Sequence, residues 1–262
     1  MVSTTAIACM VATLLLCIAI PVGGIVAVAR RNKQVMLPFA VGMLAFFVSQ
    51  VVLRMPLMSL LAGLAPDPVG KFVSSIPVAS FSAGLFEETA RMVFMLLLLK
   101  GLHRLVDGVA FGLGHGGIEA LLLVGMTMFF NLAMSFMINM DKWDVVAKSL
   151  PPEAAEQMRT ALTQTPATEF LVGGVERIWA IGLHIMCSLI IMMGVEKQKR
   201  ALAWVVAVLV HGFTNLAVLG AIQQGANVWL VEAAGLVVIA ALLTAVVRYA
   251  RRVLPAGLPT PR

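Results

Sequence analysis

The chain has 262 residues, 60% of them hydrophobic and only 12% charged, which is more apolar surface than a soluble domain of this length can bury. Its formal net charge is +6, yet the basic residues sit in short clusters beside apolar runs. That pattern excludes a nucleic-acid surface and marks the flanks of membrane helices.

Seven runs are long enough to cross about 30 Å of hydrocarbon as helices: about Thr4–Ala29, Val35–Leu61, Ser75–Leu99, Leu105–Met140, Glu169–Val195, Ala201–Ile222 and Val228–Ala250. The first run lacks a basic leader and its first charges, Arg30 and Arg31, follow it. It therefore reads as a membrane helix with its N-terminus outside rather than as a signal peptide. Cys9, Cys17 and Cys187 lie within apolar runs and form no CxxC pair, so they read as small hydrophobes. The fourth run is long enough for one tilted helix or two short ones. Only a single crossing leaves the clusters Arg30–Lys33, Lys100–Arg104, Lys197–Arg200 and Arg248–Arg252 on one side, as the positive-inside rule requires. The expectation is an all-α, polytopic bundle of seven transmembrane helices, N-terminus outside and C-terminus cytoplasmic. A single membrane domain spans 1–250, with its polar core within 75–222, and a cytoplasmic tail covers 251–262.

The stretch Asp141–Thr168 is the one sizeable external loop. Pro151 and Pro152 open a short helix there that runs to about Leu162, and Thr168 is placed to cap the next membrane helix. The loop is either a surface connection or a lid over an entrance. Gly108, Gly112 and Gly116 recur every four residues, a spacing that lets another backbone approach closely.

Several polar residues fall where lipid should forbid them, at about 2.5–3.5 kcal/mol for each charge at the bilayer centre. They are Glu87, Glu88 and Arg91 on the third helix, His115 and Glu119 on the fourth, Glu176, Arg177 and His184 on the fifth, and His211 with Asn215 on the sixth. At about 1.5 Å per residue, Glu87 lies about 18 Å from the cytoplasmic end, His115 about 15 Å, His184 about 16 Å and His211 about 15 Å. Four helices thus deliver one group each to one layer, with Glu119 and Glu176 further out. Spacings of four put Glu87 with Arg91, His115 with Glu119, and His211 with Asn215 on shared faces, which must turn inward to be satisfied. The plainer reading is polar glue between helices. Membrane hydrogen bonds average only about 0.6 kcal/mol, a weak reason to bury this many charges. Arg54, His103 and Asp107 lie near helix ends, where snorkelling accounts for them.

A carboxylate among imidazoles in a dry pocket suits activation of water, and His211 and Asn215 are donors suited to an oxyanion. The sequence has no HExxH zinc helix, no aspartate pair within the apolar spans and no GxSxG elbow, so the other routes to peptide hydrolysis in a membrane lack their residues.

In order along the chain, Glu87-Glu88-Thr89-Ala90-Arg91, Phe111-Gly112-Leu113-Gly114-His115 and His211-Gly212-Phe213-Thr214-Asn215 read EExxR, FxxxH and HxxxN. This resembles the superfamily of CAAX-processing, bacteriocin-processing and PrsW-type membrane proteases. The blocks Gly112–Ala120 and Glu176-Arg177 through His184 look most like its YhfC-type branch, intramembrane peptidases of bacteria. The resemblance covers Glu87 to Asn215, roughly the central half of the chain. It implies that Glu87 is the general base, His115 helps hold the water, His211 and Asn215 form the oxyanion site, and Glu88 and Arg91 support Glu87. The substrate would be a membrane-embedded or membrane-proximal peptide and the location the bacterial cytoplasmic membrane. CAAX-type enzymes usually show EExxxR, one residue longer, which leaves open which glutamate Arg91 braces. His184 has no counterpart in the three-motif pattern.

The glutamate route requires no cofactor. His115, His184 and His211 at one depth would also suit a three-histidine zinc site with an open water position, and the resemblance admits a metalloprotease. Two other classes stay open at this stage: a proton- or ion-coupled transporter, since such chains also mark proton relays, and a non-catalytic membrane scaffold.

Overall fold

The computed structural model describes residues 1–255, and every regular element among them is helical. In chain order these are α1 (Thr4–Ala29), α2 (Lys33–Leu64), the short α3 (Asp67–Val73), α4 (Ile76–Leu98), α5 (Leu105–Asn139), the short α6 (Trp143–Ala147), α7 (Pro152–Gln164), α8 (Glu169–Glu196), α9 (Arg200–Gln223) and α10 (Val228–Val253). Six of these, α1, α2, α5, α8, α9 and α10, are apolar and long enough to cross a membrane. The exception is α4, because Glu87, Glu88 and Arg91 cluster in its middle. It becomes the seventh span when taken with α3, which meets it at 55°.

The spans lie within one helical turn of the boundaries expected from sequence, and the fourth apolar run is one continuous helix. Of the expected tail, Arg251 to Val253 still belong to α10, and 256–262 lie outside the described residues. Two elements escaped the sequence reading: α3 and α6, both too short to carry a periodic signal. The expected cap is corrected as well. Thr168 does precede α8, but its backbone is already helical and its side chain makes no capping bond.

The basic clusters share one end of the bundle. Arg104 donates to Gln34 (3.3 Å) and His103 lies 3.2 Å from Glu196, while Arg104 and Arg251 line one cleft. The loops before α2, α5, α9 and after α10 are therefore neighbours, as a single crossing by α5 requires.

The bundle is organised around α8, most of whose residues are buried and which touches α1, α4, α5, α9 and α10. Lipid offers no hydrophobic drive between helices, so close backbone approach has to hold them. A Cβ on Gly112 would fall on the main chain of Ile185, and one on Gly42 or Gly114 would fall on the carbonyl of Phe111 or Phe39. Glycine at these positions lets α2, α5 and α8 meet backbone to backbone, which brings the α5 residues within reach of α8. At the other end, α6 and α7 dock through Trp143, Ala155 and Leu162 on the outer ends of α1, α5 and α8, among Val2, Met10, Leu132, Ile138 and Phe170.

Two helices are locally widened. In α2 the Met55 N–H reaches back five residues to the Gln50 carbonyl, and in α5 the Met126 N–H reaches the Leu121 carbonyl. The first has a visible cause: Pro56 has no N–H for the Val52 carbonyl and its ring crowds that carbonyl, so the turn before it opens. The widened segment of α2 contains Gln50 and that of α5 follows directly on Glu119, and both residues reach the polar centre.

Candidate active site

Glu87 is the hub. Its helix α4 packs against α9 on one side and α2 on the other, so the carboxylate points into the bundle, with the residue 4% exposed. Oε2 lies 3.0 Å from His115 Nε2, 3.8 Å from His184 Nδ1 and 3.9 Å from His211 Nε2. Three imidazoles on three helices thus converge on one carboxylate oxygen. The ring centroids of His115 and His184 stand 5.1 Å apart, and those of His184 and His211 5.4 Å. The layer expected from counting depth exists, and all four of its members touch.

Glu88, the next residue, faces the other way around α4. Its Oε1 lies 2.9 Å from His211 Nδ1 and its Oε2 accepts from Arg91 Nε at 2.8 Å. Arg91 therefore braces Glu88 at i+3, not Glu87 at i+4, because its guanidinium turns toward α8. There it donates to the His184 carbonyl (3.1 Å) and to Ser188 Oγ, and lies 3.2 Å from His184 Nδ1. It also stacks 5.8 Å above the Phe111 ring. A guanidinium can only donate, so His184 Nδ1 accepts and the ring proton belongs on Nε2.

That nitrogen meets Glu119, whose Oε2 lies 2.6 Å away, at ion-pair distance although off the line of a ring N–H. Arg177 bridges the same carboxylate (2.7 Å) to Glu176 (2.5 Å). Glu119 and Glu176, ranked together from sequence, differ: Glu119 touches the histidine layer, and Glu176 is one ion pair further out and more exposed.

Asn215 is not drawn into this network. It sits one turn beyond His211 on α9, half-buried, and makes no side-chain hydrogen bond among the described residues. His115 Nδ1 is likewise buried with no partner.

Sequence reading missed Gln50, Ser188 and the true position of Arg54. Gln50 donates to Glu87 Oε1 at 2.7 Å, and Arg54 donates to Gln50 Oε1 at 2.9 Å. Arg54 also bonds Ser82 and the Ala79 carbonyl of α4, so it belongs to the polar centre rather than to a snorkelling helix end. The available signal was a Gln and an Arg four residues apart in an apolar run.

Among the described residues two sets of donors lie within ligand reach, with atoms no more than 4.8 Å apart: Glu87 with His184 and His211, and Glu88 with Cys187 and His211. His115, expected beside His184 and His211 in a three-histidine set, is in neither group; its Nε2 lies on the Glu87 carboxylate at 3.0 Å. Two imidazoles and a carboxylate are a donor set that catalytic zinc takes. The Glu88 contact to the far nitrogen of His211 is the outer support such a ligand usually has. The residues present fit a zinc ion.

The profile of the YhfC intramembrane metalloprotease family matches residues 16–245. The chain is also 31% identical over 224 residues to an uncharacterized membrane protein, YhfC, of Bacillus subtilis (strain 168), covering 82% of this chain and 86% of the relative. No solved structure matches.

Proposed function

The chain belongs to the YhfC intramembrane metalloprotease family, and on that premise we propose that it cleaves peptide bonds of membrane-associated substrates with a water activated at Glu87. The observation that carries this reading is the convergence of three imidazoles on Glu87 Oε2 inside the bundle. A structural ion pair needs one partner; here His115 is within hydrogen-bond distance of Glu87, and His184 and His211 stand just beyond it, close enough to share a water with the same oxygen.

In the proposed step Glu87 Oε2 takes one proton from a water within hydrogen-bond reach of it and beside His115, and the water oxygen forms a bond to the scissile carbonyl carbon. The carbonyl electron pair moves onto oxygen, where the donors are the Asn215 amide and the Nε2–H of His211 as an imidazolium, protonated on both ring nitrogens. Glu87 then returns the proton to the departing amide nitrogen as the C–N bond breaks. Glu88 holds the His211 Nδ1 proton, so Nε2 is the atom turned to the reaction. An ion held by Glu87, His184 and His211 would supply Lewis acidity and make its bound water easier to deprotonate. The four basic clusters at one end support a multi-pass orientation with that end in the cytoplasm, and we assign the protein to the bacterial cytoplasmic membrane.

The test compares new protein N-termini in cells carrying wild type and Glu87→Gln, which keeps the shape and removes the base. Termini present only with wild type support the reading and identify the substrate. Identical termini, with both proteins equally abundant and the substrate candidates expressed, would turn the site into an ion or proton pathway instead.

A further inference from the structure

Glu87 has two carboxylate oxygens, and the three histidines address only one of them. The other, Oε1, is capped by the Gln50 side-chain amide at 2.7 Å. A glutamine amide can present either its oxygen or its nitrogen, and only the nitrogen suits a carboxylate. Here the choice is enforced from behind. Arg54, which can only donate, holds Gln50 Oε1 at 2.9 Å, and is itself tied to α4 through Ser82 Oγ at 3.0 Å and the Ala79 carbonyl at 2.7 Å. Gln50 is 4% exposed, so water does not compete for these bonds. The widened turn of α2, forced by Pro56, is the segment that contains both residues.

We propose that Gln50, oriented by Arg54, is a positioning residue that locks Glu87 Oε1 and thereby makes Oε2 the reacting oxygen. This rests on the proteolytic reading for its functional half, while the clamp itself is a property of three side chains. Without it the carboxylate can rotate about its last torsion, and the histidines lose a fixed partner; an active-site group that swings by about 1 Å can cost roughly 100-fold in rate. Arg54 reaches the Glu87 carboxylate only through Gln50, so its removal adds nothing to the loss of kcat once Gln50 is gone, whatever its bonds to Ser82 and Ala79 contribute to stability.

The experiment uses the full chain in lipid vesicles, with the peptide identified from the wild-type and Glu87→Gln comparison. Variants are Gln50→Met, Gln50→Leu, Arg54→Met, Arg54→Lys and the double Gln50→Met/Arg54→Met, each checked for folding by thermal unfolding. Infrared difference spectra, wild type minus Glu87→Gln, isolate the Glu87 carboxyl band. The expected result is a shifted band in both Gln50 variants, a kcat lower by roughly 10- to 100-fold, as for other supporting residues, and KM nearly unchanged. Arg54→Met gives a smaller loss, Arg54→Lys restores part of it, and the double variant is no worse than Gln50→Met alone. A band unmoved by Gln50→Met overturns the clamp whatever the activity. A moved band with kcat within about two-fold of wild type overturns the positioning role, since catalytic supports cost more than that. If wild type cleaves no better than Glu87→Gln, the proteolytic reading fails and takes the positioning role with it, while the band still decides the clamp.

Discussion

Glu88 Oε1 lies 2.9 Å from His211 Nδ1, while Glu88 Oε2 accepts from Arg91 Nε at 2.8 Å. One carboxylate therefore fixes a histidine on α9 and neutralises an arginine on α4, and it does so with the residue wholly buried. The two tasks separate by substitution. Glu88→Gln keeps the shape and still accepts one bond, so the protein should fold while kcat drops roughly 10- to 100-fold, the usual cost of losing a group behind an active imidazole. Glu88→Ala also leaves Arg91 buried without its partner, a loss of about 3–5 kcal/mol. Thermal unfolding in detergent beside a cleavage assay checks both; equal stability of the two variants would mean that Ser188 and the His184 carbonyl satisfy Arg91 alone.

Backbone contact gives a prediction independent of chemistry. Gly112 faces the main chain of Ile185, whereas a Cβ on Gly23 or Gly63 meets nothing within 4 Å. Gly112→Ala should destabilise by about 1–3 kcal/mol or more, since backbone cannot move aside as a side chain can. Gly23→Ala and Gly63→Ala should be neutral or slightly stabilising, because they only remove freedom from a helix. Melting temperatures of the three variants decide it, and a Gly112→Ala protein as stable as wild type would show that α5 and α8 can slide apart.

The metal question has a direct measurement. Glu87, His184 and His211 form the donor set in ligand reach around the Glu87 carboxylate, and His115 is not among them. Zinc content of the purified protein should fall to background in His184→Gln and His211→Gln and persist in His115→Gln. Chelation should abolish activity and zinc restore it. Loss of zinc in His115→Gln as well would return the three-histidine arrangement.

The spans and the histidine layer were legible in the sequence because both rest on regular quantities: apolar length, and depth at a constant rise along a helix. What stayed hidden depends on irregularity. Gln50 lies within the widened turn of α2, where a face read at 3.6 residues per turn drifts, and the contact of Glu119 with His184 rests on side-chain reach that depth along the helix does not give. Arg54 looked like a snorkelling end because nothing in the sequence says that α4 offers it Ser82 and the Ala79 carbonyl. Ser188 carries no charge, and only its place opposite Arg91 gives it meaning. Which glutamate Arg91 braces was undecidable from spacing, since i+3 and i+4 are both neighbours on a helix.

Glu119 and Glu176 offer the sharpest contrast left in the site. Both pair with Arg177, yet only Glu119 also reaches His184, at 2.6 Å. Their side chains differ in exposure, 13% against 30%, so water can replace Glu176 as a partner of Arg177 far more readily than Glu119. Glu176→Gln should then leave kcat within about three-fold, the effect of a partly solvated ion pair worth about 0–1 kcal/mol. Glu119→Gln removes the charge facing His184 Nε2 and leaves Arg91 alone to hold that ring's Nδ1 inward. Its kcat should fall at least about ten-fold, in line with other groups that orient an active histidine. Rates of the two variants on one substrate, normalised to folded protein, make the comparison. Equal losses would mean that Arg177 is positioned by both carboxylates together and that the His184 contact is incidental.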